Sequence, residues 1–208
     1  MKHLFFLTCA VAFTALFAGC GSKMDALDPA LTTDAGVMIN GVTWATRNVD
    51  APGTFTGNVQ DAGMLYQWNS KKAWPAPLTT ADWPTTAAGG TTWATANDPC
   101  PKGWHIPTQA VFNQLLSASV TKTWGTFAGT KGVYFGTVAE PYQLFLPGGY
   151  YAGYVDGHVE LWDNRAYYWS STQKDSDNVY CFWMRDSPPQ FNIYGDDKRN
   201  LYPVRCVQ

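Results

Sequence analysis

The chain is poor in charge. Only 14% of its 208 residues are Asp, Glu, Lys or Arg, and the formal net charge is −2. No cluster of Lys and Arg supplies the positive potential that phosphate backbones require, so no nucleic-acid partner is expected. Histidine is scarce, at three copies, and His105 has no Cys or acid at metal-ligand spacing. Neither it nor His158 neighbours a nucleophile in a recognisable catalytic context. The one long apolar run, Leu4 to Phe17, falls short of the ~20 residues a bilayer span needs. Solenoid repeats are absent, and so is helical periodicity over nearly the whole chain. What abounds is aromatic area, with 10 Trp and 11 Tyr. Such side chains bury large surfaces while keeping a polar tip that wants a partner. A loop-rich core held by indoles and a Tyr- and Trp-bearing recognition surface are both expected.

Lys2 and His3 before the apolar run give the pattern of a signal peptide. The run ends in Phe17-Ala18-Gly19-Cys20, which resembles a bacterial lipobox with Phe in place of the commoner Leu. Cys20 is then the lipidation site, and several acyl chains at ~0.8 kcal/mol per buried methylene hold the protein on a membrane. The expected division is a lipoprotein signal peptide at 1–19, a flexible tether at 20–36 and one domain at 37–208. The membrane is reached by the lipid anchor only, at the bacterial outer membrane or cell surface, periplasmic or outward-facing.

The best-defined element follows Cys100-Pro-Lys-Gly-Trp-His-Ile-Pro107, a rigid turn of two prolines and a glycine. Thr108 stands where an N-cap belongs. Val111, Phe112, Leu115 and Leu116 then form one apolar helical face, opposite Gln109, Asn113 and Gln114. Asn40-Gly41 between apolar pieces predicts a hairpin over 37–44. Further strands are expected near 63–68, 133–135, 143–146, 150–154, 158–162, 167–171, 179–185, 190–194 and 202–207, with a turn at Asp156-Gly157. Residues 69–99 show no regular pattern, and Trp74, Trp83 and Trp93 are candidate pins for this long loop. Removal of Cys9 and lipidation of Cys20 leave Cys100, Cys181 and Cys206 in an oxidising compartment. One pair and one leftover thiol are expected, with three pairings open.

Trp44-Ala-Thr-Arg-Asn-Val49, Tyr66-Gln-Trp68, Cys100 to Thr108, Leu146-Pro-Gly-Gly-Tyr150, Tyr168-Trp-Ser-Ser-Thr172 and Val204-Arg-Cys-Val207 occur in order. The series resembles the Fibrobacter succinogenes major paralogous domain of bacterial surface lipoproteins, over about 37–208. That resemblance implies an α+β, C-type-lectin-like domain of mostly short antiparallel strands and long loops with one or two helices. It also implies a Cys100–Cys206 disulfide, which leaves Cys181 free. It does not imply an enzyme, and function within such a fold varies widely.

From Asn164 to Tyr202, eighteen of 39 residues are Asn, Asp, Ser or Tyr, and no Glu follows Glu160. This composition resembles the variable region of proteins diversified by retroelements that mutate adenines. The expected ligand-binding set is Asn164, Tyr167, Asp175, Asp177, Asn178, Tyr180, Arg185, Asn192, Tyr194, Asp196 and Asn200. Trp169, Phe182, Trp183, Ile193 and Val204 are expected to hold the strands in the core. Glu140-Pro141 and Trp162-Asp163-Asn164 match calcium-lectin motifs only in fragments, so no metal or cofactor is expected. Asp156 and Glu160 stand across a predicted hairpin, without the cleft of a glycosidase pair. Formylglycine-generating enzymes keep two active-site cysteines close in sequence, unlike Cys181 and Cys206. No catalytic residue is assigned. The expected function is display of a lectin-like domain that binds a protein or glycan. The alternatives are a structural component of the envelope without a specific ligand, and a carbohydrate-active enzyme.

Overall fold

The structure, a computed structural model, describes residues 28–75, 86–153, 159–162 and 164–208, with backbone alone for 150–152 and 159–162. The signal peptide, Cys20, Trp83, the Asp156-Gly157 turn, His158 and Asp163 lie outside the described residues. Fourteen strands occur among them. They are β1 (Val37–Ile39), β2 (Val42–Asn48), β3 (Leu65–Gln67), β4 (Ala73–Trp74), β5 (Thr121–Phe127), β6 (Thr130–Gly136) and β7 (Leu144–Pro147). The rest are β8 (Gly149–Ala152), β9 (Val159–Trp162), β10 (Arg165–Gln173), β11 (Asn178–Arg185), β12 (Gln190–Asp197), β13 (Leu201–Tyr202) and β14 (Arg205–Val207). Two α-helices, the single turn α1 (Pro29–Thr32) and α2 (Gln109–Leu116), and a 3-10 turn over Thr95–Asn97 accompany them.

The strands form four small antiparallel sheets, ordered β1-β2-β14, β10-β11-β12, β4-β3-β13-β8-β9 and β5-β6-β7. The β1–β2 hairpin turns at Asn40 and Gly41, with φ of 52° and 82°. Two consecutive positive φ values match the twist of the flanking strands, which is why Asn-Gly stands there. Thr108 caps α2 by accepting from the Val111 N–H at 3.2 Å. Phe112 and Leu115 are buried while Asn113 and Gln114 face solvent. Thus the helix forms where its apolar stripe demands.

The helix is a plug, and this corrects the α+β, C-type-lectin-like expectation. Eight residues of α2 and four of α1 make no helical layer against fourteen strands, so the domain is mostly β. The expectation missed β5 altogether, and it shortened β10 and β12. A stretch such as Thr121-Lys-Thr-Trp-Gly-Thr-Phe127 is half-exposed along its length. It therefore lacks the alternation that marks a strand in sequence. Residues ahead of β1 are held as well. Asp34 accepts from the Thr46 N–H at 3.0 Å and pairs with Arg47 at 3.2 Å, pinning residues just before β1 to β2.

Sheet β10-β11-β12 separates two apolar cores. Ala166, Tyr168, Phe182 and Met184 point into one, with Phe112 of α2 stacked on Phe182 at 4.9 Å. Tyr167, Trp169, Val179 and Cys181 point into the other, with Trp68, Trp93, Trp104 and Tyr202. Burial on both faces explains why Ala166 to Trp169 reads as a continuous apolar run. Trp74 and Trp93 are both buried, so two of the three expected loop pins are pins.

Two ties close the chain. Cys100 and Cys206 are bridged across a sequence separation of 106, as the family resemblance implied. Loop closure of that length contributes about 4–5 kcal/mol in chain-entropy terms. His105 and Val207 exchange two backbone hydrogen bonds at 2.9 Å each beside the bridge. Between the sheets, Arg205 is fully buried. Its guanidinium donates to Asn48 Oδ1 at 2.8 Å and to the carbonyls of Ala45 at 2.8 Å and Phe145 at 3.1 Å. No described carboxylate bonds it. Replacing Asn48 by Ala leaves a buried N–H of a charged group unmatched, and should cost about 3 kcal/mol of stability. Urea unfolding measures this directly; a loss below about 1 kcal/mol would contradict the assigned role of Asn48.

Candidate functional site

Alternation along β10, β11 and β12 puts one set of side chains on a common face. Arg165 stands opposite Arg185, Tyr167 opposite Trp183, and Trp183 opposite Asn192, while Cys181 pairs with Tyr194. Arg165, Tyr167, Trp183, Asn192 and Tyr194 line a depression of about 280 Å³. Trp183 and Tyr194 meet edge to face at 6.2 Å, and the Arg185 guanidinium lies 5.5 Å over the Trp183 ring.

The floor is fixed by packing. Tyr167 is buried to 6% exposure and stacks on Tyr202 at 5.1 Å, and Trp169 packs on the same ring at 4.3 Å. Behind Tyr194, the Asp196 carboxylate accepts from the hydroxyls of Tyr194 (2.9 Å) and Tyr202, and from Asn200 Nδ2 (2.9 Å). Burial pushes the Tyr194 hydroxyl up from its ordinary pKa, reinforced by Cys181 and Asp196. Burial does the same to Tyr167. Both phenols therefore stay protonated at neutral pH, and the Tyr194 proton is committed to Asp196.

The expected binding residues divide among several roles. Tyr167, Asn192 and Tyr194 line the depression, and Arg185 flanks it. Asp196 and Asn200 form the network that positions Tyr194; Asn200 is only 7% exposed. Asp175 shapes the β10–β11 turn by accepting from the Asp177 and Asn178 N–H groups and from the Asn178 amide. Asp177 is exposed in that turn and accepts from Ser176 Oγ. Tyr180 lies on the opposite face, across from Gly195. Asn164 ends in the turn before β10, where its carbonyl accepts from the Asp186 N–H. Arg165 and Trp183 belong to the site and were not in the expected set. Trp183, expected in the core, is partly buried and packs against it while also lining the depression; Phe182, its strand neighbour, faces the other core. Period-two alternation from Cys181 through Trp183 to Arg185 was the signal that could have found it. Of the other residues expected in the core, Trp169, Phe182 and Val204 are fully buried and Ile193 is partly so.

Among the described residues Cys181 is the free thiol, fully buried with its pKa driven up by burial. The neutral thiol is a poor nucleophile. Alkylation at pH 8 should spare Cys181 in the native protein and label it in guanidinium; rapid native labelling would show that this core opens. Two other depressions exist among the described residues. One, of about 500 Å³, is an apolar groove between Trp124 and Phe127 on β5, Tyr134 on β6 and Tyr142 in the β6–β7 connection. The other, of about 580 Å³, lies along the 100–108 turn. There the Asp98 carboxylate is committed to the Cys100 and Ile106 N–H groups, and burial raises its pKa. No group of three or more His, Cys, Asp or Glu among the described residues could hold a metal ion.

Fold and face together define a mostly β domain, tied by one disulfide, that presents an aromatic depression edged by arginine. The chain belongs to the family of the Fibrobacter succinogenes major domain, whose model matches residues 37–208. Membership points to a protein of the cell surface. Neither a curated protein nor a solved structure matches the chain. No described helix is long and apolar enough to cross a membrane.

Proposed function

We propose that this protein is a lipid-anchored envelope component whose domain binds a ligand in the depression on β10-β11-β12, without a covalent step. The observation that carries the reading is the convergence of Arg165, Tyr167, Trp183, Asn192 and Tyr194 on one depression. Rigid aromatics and a short amide lose little entropy on contact, and they stack and hydrogen-bond at once. Retroelement diversification is part of the same reading. It is supported by the abundance of Asn, Asp, Ser and Tyr over 164–202, on strands whose alternate residues are locked in the two cores. A reverse-transcriptase gene beside an imperfect copy of the codons for 164–205 is the genomic signature expected.

The binding reading is tested on glycan and envelope-protein arrays with the wild type, Trp183→Ala and Asn192→Ala. Hot-spot truncation at Trp183 should weaken binding by about 2 kcal/mol. The exposed Asn192 should alter stability by about 0.5 kcal/mol or less when replaced. Binding that survives both substitutions places the ligand elsewhere on the domain. The anchor is tested separately: Cys20→Ser should move the protein from the membrane fraction to the soluble fraction, and unchanged membrane association would end the lipid-anchor reading.

A further inference from the structure

We infer that the depression takes a single carboxylate-bearing sugar, a hexuronic acid residue of a glycan. This rests on the binding-face reading and adds the charge and size of the ligand. Arg165 and Arg185 are direct cross-strand partners on this face. Like charges in that position repel, and no Asp or Glu is among the side chains lining the depression. Asp196, on the same face of β12, is already engaged by Tyr194, Tyr202 and Asn200.

The two arginines are not equivalent. The Arg165 guanidinium is engaged with the Tyr167 hydroxyl. Arg185 makes no hydrogen bond or ion pair with a described residue, and its Nε is shielded from water without a partner. Its Cζ lies 5.5 Å from the Trp183 ring centroid, and a guanidinium in that place can grip a carboxylate in bidentate fashion through its planar N–H fork. The edge-to-face pair of Trp183 and Tyr194 offers a right-angled wall for the C–H face of a pyranose. Asn192 Oδ1 accepts from the Ile193 N–H at 2.8 Å, so its NH₂ remains to donate to a ring hydroxyl. A volume of about 280 Å³ holds one ring and not an extended chain. An acidic peptide side chain would use the fork and leave the aromatic walls unfilled, which favours the sugar.

Calorimetric titration of the detergent-solubilised full-length protein tests the inference. The probes are glucuronate, galacturonate, glucose, galactose and a short Glu-containing peptide. At least one uronate should bind about tenfold or more tightly than its neutral parent, a difference of about 1.4 kcal/mol. Arg185→Met should abolish that advantage, and Arg185→Lys, which keeps the charge but not the fork, should retain only part of it. Near-ultraviolet circular dichroism checks that each variant is folded. Neutral sugars binding as well as uronates, with loss in Trp183→Ala, would overturn the charge assignment and leave the binding face standing. Uronate binding indifferent to both Arg185→Met and Trp183→Ala would overturn the inference and the face together. Equal binding of the peptide, or no uronate binding at about 10 mM, would also overturn the inference.

Discussion

A guanidinium with no access to water must be solvated by protein oxygen, and Arg205 draws its acceptors from two of the four sheets. Its acceptors are Asn48 and Ala45 on β2 and Phe145 on β7. Asn48 Nδ2 then donates to the Tyr168 hydroxyl at 3.3 Å, and that hydroxyl donates to the Pro147 carbonyl at 2.9 Å. The chain from Arg205 through Asn48 and Tyr168 to Pro147 thus joins β14, β2, β10 and β7. Burial pulls the Arg205 pKa below its ordinary value, and the three acceptors offset the desolvation that would otherwise expel it. The consequence reaches the far face. With Tyr168 held inward by this network, strand alternation sends Tyr167 the other way, towards the depression.

The disulfide and the His105–Val207 bridge act on a different quantity. Both close the long loop between the 100–108 turn and the last strand, but the disulfide alone reduces the conformational freedom of the unfolded chain. Trp104, Trp68 and Trp93 fill the space around them, with Trp68 and Trp93 meeting edge to face at 5.8 Å. The indole Nε1 of Trp68 donates to the Ser170 carbonyl at 3.0 Å, and that of Trp169 to the Tyr66 carbonyl at 2.7 Å. These bonds satisfy the polar tips that make tryptophan costly to bury. They also hold β10 against β3, so the strand that carries Tyr167 is supported on both sides. A binding face on such a support is preorganised, and ordering costs on association fall accordingly.

Polar richness in the last third of the chain therefore serves two ends. Asp175, Asp196 and Asn200 spend their hydrogen bonds on turns and on one another. Asn192, Trp183 and Arg185 keep the surface and donors that the proposed ligand would use. Composition cannot separate these groups, because Asn and Asp supply turn chemistry as readily as recognition. The family motifs divide in the same way. Trp44, Asn48, Trp68, Trp169, Arg205 and Cys206 carry the resemblance, and each is buried. They are the residues that hold the sheets together, so the motifs report the frame and not the ligand.

The hairpin at Asn40-Gly41, the capped helix after Thr108 and most strand positions were legible in the sequence, because each rests on local backbone preference or short-range periodicity. The pairing of Cys100 with Cys206 followed from family resemblance, since spacing alone left three choices. Sequence could not show that β10-β11-β12 is buried on both faces. It could not show that Tyr180 and Tyr194 point apart, or that Trp183 stands at the site. Those facts depend on register, and a register shift of one residue turns a side chain from one face to the other. Register here is set by contacts far apart in the chain, such as Asn48 with Arg205 and Tyr66 with Trp169. The residue types were therefore given by the sequence, while their assignment to core, network or depression was decided only when the sheets closed around one buried arginine.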